Sequence, residues 1–392
     1  MKLKRPLLLL ASAAVVVVLL VGGLAAKVGP TDSPYRQSAL FAEILQLVVE
    51  NYVDPVDPSG LLQGAYEGML GGIDANGAYL TPAELKQWKS ELPKNLGDPG
   101  VDVLKSGSSF QVVAVEPASA AEKAGIEVGD QIRSIEGRSV HDQSLEQVRR
   151  MLEGEIGTSI SVRVVHPTEG FNREELALRR ASRSSRPYQL SIERGVAVLQ
   201  LKDLRRIDPA EVAGELDEVR SRGVERLVLD LRNCAENAPR DAAQFAGLFI
   251  AAPELRLRDR SGRLLEAARS TLERPAWSGW VGVVVNAATA GGAEALAALI
   301  QLDRGAVIYG EATYGLGAEP KLYELNDGSG LLVSSSVWET VRGDRWNGAG
   351  LKPDKLVRGE GKDFAAAYVD QLRRVLDQVE SLESAAAARK TT

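Results

Sequence analysis

One cysteine and two histidines are all that the 392 residues hold of the side chains most used for covalent and metal chemistry. Cys234 alone cannot close an intramolecular disulfide and leaves no thiolate cluster for zinc. With only His141 and His166 present, any Ser-His or Cys-His mechanism rests on one of those two. No glycine-rich loop with a following Lys and Ser/Thr is available to cradle a phosphate, so the sequence asks for neither cofactor nor metal. Cations are also in the minority, 47 Lys+Arg against 53 Asp+Glu, and a net charge of −6 argues against nucleic acid as a partner.

The one long uncharged apolar run lies at the start. Met1-Lys2-Leu3-Lys4-Arg5 is cationic, and residues 6–26 carry no charge. About 20 apolar residues suffice to cross a bilayer as a helix. Residues 1–26 therefore read as a signal anchor or signal peptide; the length favours the anchor, while Gly22, Gly23, Ala25 and Ala26 offer a cleavage site. Removing this segment takes away three cations and lowers the net charge from −6 to −9. The expected location is the cell envelope, with the bulk of the chain exported and the N-terminus held in the inner or cytoplasmic membrane.

Four further segments follow. Residues 27–95 form a helical cap, with Leu40, Ile44, Leu45, Leu47 and Val48 at helical spacing and Thr81-Pro82-Ala83-Glu84 as a capping box. Residues 96–180 turn to short β-rich runs with one helix opened by Ser144 and Gln147. Residues 181–360 alternate apolar strands, such as Leu227-Val228-Leu229-Asp230-Leu231, with capped helices, the pattern of an α/β core. Residues 361–392 read as a terminal helix and tail. Between the second and third segments, Arg179, Arg180, Arg183 and Arg186 suggest a solvated basic connector. The fold class is thus α+β and multidomain: membrane anchor, helical cap, β-rich module and α/β core.

Ala124-Gly125-Ile126-Glu127-Val128-Gly129-Asp130-Gln131-Ile132 resembles the signature turn and strand of PDZ domains. Around it, Val49-Glu50-Asn51-Tyr52-Val53-Asp54, Gly64-Ala65-Tyr66-Glu67-Gly68-Met69-Leu70, Asp230-Leu231-Arg232, Gly310-Glu311-Ala312-Thr313-Tyr314-Gly315 and Gly350-Leu351-Lys352-Pro353-Asp354 are similar to motifs of the carboxyl-terminal processing, or tail-specific, serine peptidases. The resemblance implies a Ser nucleophile and a buried Lys base of lowered pKa, with no His required.

This sequence departs from that pattern at each part. Where the family has Ser-Ala-Ser-Ala-Ser-Glu, it reads Thr289-Ala290-Gly291-Gly292-Ala293-Glu294, which puts Gly291 at the nucleophile. The Lys position after Thr313-Tyr314-Gly315 is Leu316, and the Gln usually found four residues on is Pro320. The oxyanion turn Asn-Pro-Gly-Gly is replaced by Cys234-Ala235-Glu236-Asn237, so Glu236 and Asn237 stand where glycines would free backbone N–H groups. Thr289, Cys234, Lys321 and Ser334 to Ser336 are read as structural rather than as replacements.

The expectation is therefore a pseudoprotease that binds a peptide or protein partner, for example a C-terminal tail or an active protease relative, with homo-oligomerisation open. The alternatives are an active serine-type endopeptidase with a non-standard site and a structural envelope protein that needs no peptide groove. PDZ domains capture an extended peptide by strand addition, with loop N–H groups on its carboxylate. Here that loop is Gly100-Val101-Asp102-Val103, and Asp102 either opposes a docking carboxylate or faces outward.

Overall fold

The computed structural model describes residues 34–390 except 91–94, 168–171 and 236–237, so the expected anchor at residues 1–26 lies outside the described residues. Among the described residues no helix is long and apolar enough to cross a membrane.

The chain divides into two units, residues 1–66 and 67–392. In the first, the helix Pro34–Asn51 forms as its spacing predicts, and Leu40, Phe41, Ile44, Leu47 and Val48 are solvent-exposed along it. The helix Pro58–Gly71 begins here and runs into the second unit.

In the second unit the Thr81 capping box forms and opens the helix Pro82–Lys89. The segment expected to be wholly helical also contributes a strand, Ala78–Leu80, which pairs with the long strand Gly330–Thr340. Three short residues of mixed burial carry no readable period, which is why the sequence hides this strand.

The β-rich module is a six-stranded antiparallel sheet, with Val101–Ser106, Ser109–Val115, Gln131–Ile135, Ser159–His166 and Asn172–Arg179 in that order and the short strand Arg138–Ser139 paired to Gln131–Ile135. The strand Val101–Ser106 is therefore an edge, and the helix Leu145–Leu152, opened by the Ser144/Gln147 capping box, lies beside it.

The core sheet runs Tyr188–Glu193, Val196–Leu201, Arg226–Asp230, Trp280–Val285, Val307–Gly310 and Lys355–Leu356; every pair after the first is parallel. Its inner strands Val196–Leu201, Arg226–Asp230, Trp280–Val285 and Val307–Gly310 are largely apolar because both faces are covered. Leu227 and Leu229 pack on the side of Pro239–Ala246 and Gly292–Arg304, while Val228 and Val284 pack against Val375, Leu376 and Val379 of the terminal helix Phe364–Lys390. The terminal helix is pinned by Arg232, whose buried guanidinium forks onto Asp230, donates to the Tyr368 carbonyl and lies 3.7 Å from the Tyr368 ring centroid.

Candidate functional site

The carboxyl ends of Arg226–Asp230 and Trp280–Val285 lead into the turns that carry the expected site, the usual place for chemistry on a parallel sheet. Asn233, in the left-handed region at φ 59°, and Asn286 bond one another across these turns, Nδ2 to Oδ1 at 2.6 Å. Thr289 is fully buried; its hydroxyl donates to the Leu231 carbonyl at 2.9 Å and accepts from the Asn286 N–H. It is a staple between strand ends and faces no base.

Gly291 caps the helix Gly292–Arg304 with φ 59° and ψ −118°. This is a sharp strand-to-helix turn of the kind on which nucleophilic hydroxyls are presented, in a region of backbone space that favours glycine. Three residues on, Glu294 is fully buried and gathers the site around its carboxyl group. Oε2 accepts from the N–H groups of Gly291 at 3.0 Å and Leu316 at 2.7 Å; Oε1 accepts from the Gly315 N–H at 2.7 Å and from the Thr313 hydroxyl. Burial pushes this carboxyl up to about 7, against the lowering effect of those donors. The nucleophile and base positions implied by the resemblance are thus tied to one carboxyl group. Gly315 and Gly350 make the crossing possible, since a Cβ on Gly350 would stand 2.1 Å from the Thr313 carbonyl oxygen.

Leu316 points into an apolar joint. With Ala288, Ala290, Ala235 and Tyr314 it packs against the core of the β-rich module. Two hydrogen bonds close the joint: Tyr314 Oη donates to the Lys105 carbonyl at 2.9 Å, and Arg149 donates to the Ala235 carbonyl at 3.2 Å. Pro320 sits at a β-bulge in the strand Ala318–Glu324. Glu236 and Asn237 lie outside the described residues.

Several hydroxyls among the described residues have a carboxylate in reach, Thr313 and Ser334 among them. Thr313 bonds Glu294 but also accepts the Leu351 N–H at 2.7 Å and is buried. Ser334 Oγ lies 2.9 Å from Asp74 Oδ1, yet the other Asp74 oxygen accepts the Ser334 backbone N–H at 2.7 Å. That two-point bond fixes the strand Gly330–Thr340 to the turn before the strand Ala78–Leu80. Cys234 is buried with Sγ against the Lys202 carbonyl, Lys321 is exposed above the Tyr323 ring, and His141 is exposed beside Asp142.

Both expectations for Asp102 are corrected. Its side chain is 5% exposed and forms an ion pair with Arg183 at 2.5 Å, so it neither faces a docking carboxylate nor points to solvent. The reading of the connector as solvated is corrected with it for Arg180 and Arg183, while Arg179 and Arg186 are exposed as expected. Arg183 bonds Asp98 at 3.0 Å and donates to the Val101 carbonyl at 3.2 Å, while Arg180 donates to the Met151 and Leu152 carbonyls. Burial works against the Arg183 charge, but Asp102 and Asp98 outweigh it and hold its pKa above the ordinary value. Arg183 and Asp102 stand 81 positions apart, a complementarity that no local pattern carries.

An antiparallel module with a capped helix beside its edge strand, docked on the carboxyl end of an α/β sheet, defines a PDZ-bearing peptidase-type fold. Residues 111–165 match the PDZ domain and residues 195–357 match Peptidase family S41. Through these two regions the chain is similar to the carboxyl-terminal processing peptidases. It is 24% identical to a probable CtpA-like serine protease of Staphylococcus saprophyticus, over 80% of this chain and 64% of the relative. It is 29% identical to a carboxyl-terminal-processing protease of Picosynechococcus, over 68% of this chain and 64% of the relative. The chain thus spans just under two thirds of the length of both. In fold it is similar to a photosystem II D1 C-terminal processing protease, with a TM-score of 0.60 at 24% identity over 81% of this chain and 92% of that one.

Proposed function

We propose that this chain is a membrane-anchored pseudoprotease that acts in the cell envelope by binding a peptide or protein partner. The observation that carries the reading is the joint at the resemblance's catalytic positions. Gly291 has no hydroxyl, Leu316 has no amine, and the space around Leu316 is filled by apolar side chains of the PDZ module. A buried amine there would need a partner or would lose its charge, whereas Leu packs without either cost. The hydroxyls of Thr289, Thr313 and Ser334 are each engaged in holding turns or strands together. The membrane anchor of the proposal rests on residues 6–26 and their cationic flank.

The test is to mix the native chain with a fluorescently labelled unfolded polypeptide and follow retention by sedimentation and fragment release by electrophoresis. Retention of intact polypeptide supports the reading; release of fragments by the native chain removes it in favour of an endopeptidase with a non-standard site. The structural alternative has one observation on its side: the chain's own residues occupy part of the PDZ edge strand.

A further inference from the structure

The edge strand Val101–Ser106 is where a PDZ module adds a peptide, so the direction of its backbone groups matters. It joins Ser109–Val115 through a tight turn closed by Ser106 and Ser109. Antiparallel partners alternate between pairs that bond each other and pairs that face outward. Val112 gives its N–H to Asp130 and accepts from Gly129, both on its far side, so its partner Val103 faces the open edge. Lys105, two residues on, faces the same way. At the other end Gly100 accepts from Glu116, which leaves Val101, the next residue, facing outward too.

Two of these three positions are engaged by the chain itself. The Val101 carbonyl accepts from Arg183 of the connector, and the Lys105 carbonyl accepts from Tyr314 of the core. The Gly100 N–H, in the loop expected to hold a carboxylate, donates to Asp98 at 2.7 Å, and Asp98 is itself a partner of Arg183. Arg183 comes from the connector just after the module and Tyr314 from the core much further along the chain, and each covers one end of the same edge. Val101, Val103 and Leu104 are correspondingly buried.

We propose that Arg183 and Tyr314 are paired edge caps that hold the PDZ strand closed to strand addition, so that a C-terminal tail docks only when both caps release. For its ligand this rests on the binding reading above; for its contacts it does not. Tyr314→Phe removes the hydroxyl and keeps the ring. Arg183→Lys keeps the charge beside Asp102 and Asp98 but loses the fork that reaches Val101.

Amide hydrogen exchange of residues 101–106 is measured on the full chain without ligand, in the native protein, each single variant and the double variant. The strand Trp280–Val285 serves as the internal measure of an intact fold. Exchange of the edge strand is expected to rise about fivefold in each single variant, the effect of one lost hydrogen bond, and further in the double variant. A labelled hexapeptide ending Ala-Val-Val with a free carboxylate is then titrated, beside its amide; the acid is expected to bind the double variant at least about tenfold more tightly than the native chain, an energy of about 1.4 kcal/mol. Unchanged exchange in the double variant overturns the caps whatever the peptide does, as does native binding as tight as that of the double variant. Faster exchange with no binding by any variant upholds the caps and removes the binding reading instead.

Discussion

Glu294 Oε2 lies 2.7 Å from the Leu316 nitrogen and 3.0 Å from that of Gly291, so one buried carboxyl joins the two positions at which the family resemblance places base and nucleophile. The same group reaches Gly315 and Thr313, and through Thr313 the Leu351 N–H. The loop 313–316 is thereby fixed to the start of the helix Gly292–Arg304 by polar bonds that need no catalytic side chain.

This carboxyl makes stability depend on pH. Its folded pKa of about 7 lies above the ordinary 4.5. Between these values the folded state holds a proton that the unfolded state has released, so its contribution is complete below pH 4.5 and is lost as pH rises through 7. The unfolding free energy of the native chain should therefore fall by about 3 kcal/mol from pH 4.5 to 7.5 relative to Glu294→Gln. Urea titrations of both proteins at the two pH values measure it, and parallel pH profiles would rule the effect out.

Gly291 occupies backbone space that costs other residues about 1–3 kcal/mol. Gly291→Ala should lower the urea midpoint accordingly, with the denaturant slope unchanged. A substitution without cost would mean that the turn relaxes and that the elbow geometry is not enforced by its surroundings.

Arg232→Ala should be among the most damaging single changes, at about 3–5 kcal/mol, because it leaves Asp230 buried without its partner. The terminal helix should loosen first, since Arg232 also holds the Tyr368 carbonyl and Gln371. Limited proteolysis that trims residues after 363 faster in the variant than in the native chain is the expected outcome.

Thr289→Ala removes a buried hydroxyl that joins the Leu231 carbonyl to the Asn286 N–H and should cost about 1–3 kcal/mol. Partner retention should survive it. Loss of retention in a variant that still folds would place Thr289 in the binding machinery.

Much of this architecture is legible in the residues. Capping boxes at Thr81 and Ser144 and the first-turn proline after Asp208 mark helix starts that form as written. The run Leu227 to Leu231 announces a strand covered on both faces, and Gly291 and Leu316 stand out because their neighbours match a known pattern. What stays hidden is long-range complementarity. The arginines of the connector look like a solvated charge run until Asp98, Asp102 and the carbonyls of Met151 and Leu152 are placed beside them. Tyr314 reads as a motif residue, and only the docking of the PDZ module gives its hydroxyl the Lys105 carbonyl. Glu294 is likewise the last letter of a motif until three backbone N–H groups converge on it.

With Gly291 and Leu316 in place of a nucleophile and a base, the native chain is expected not to hydrolyse peptide bonds. Proteolysis of a loosely folded substrate by the purified native chain, beside the Gly291→Ser, Leu316→Lys double variant, tests it most directly. No cleavage by the native chain is expected, with any activity confined to the double variant. Cleavage by the native chain that disappears when Thr313 or Ser334 alone is changed would contradict the account and name the replacement nucleophile.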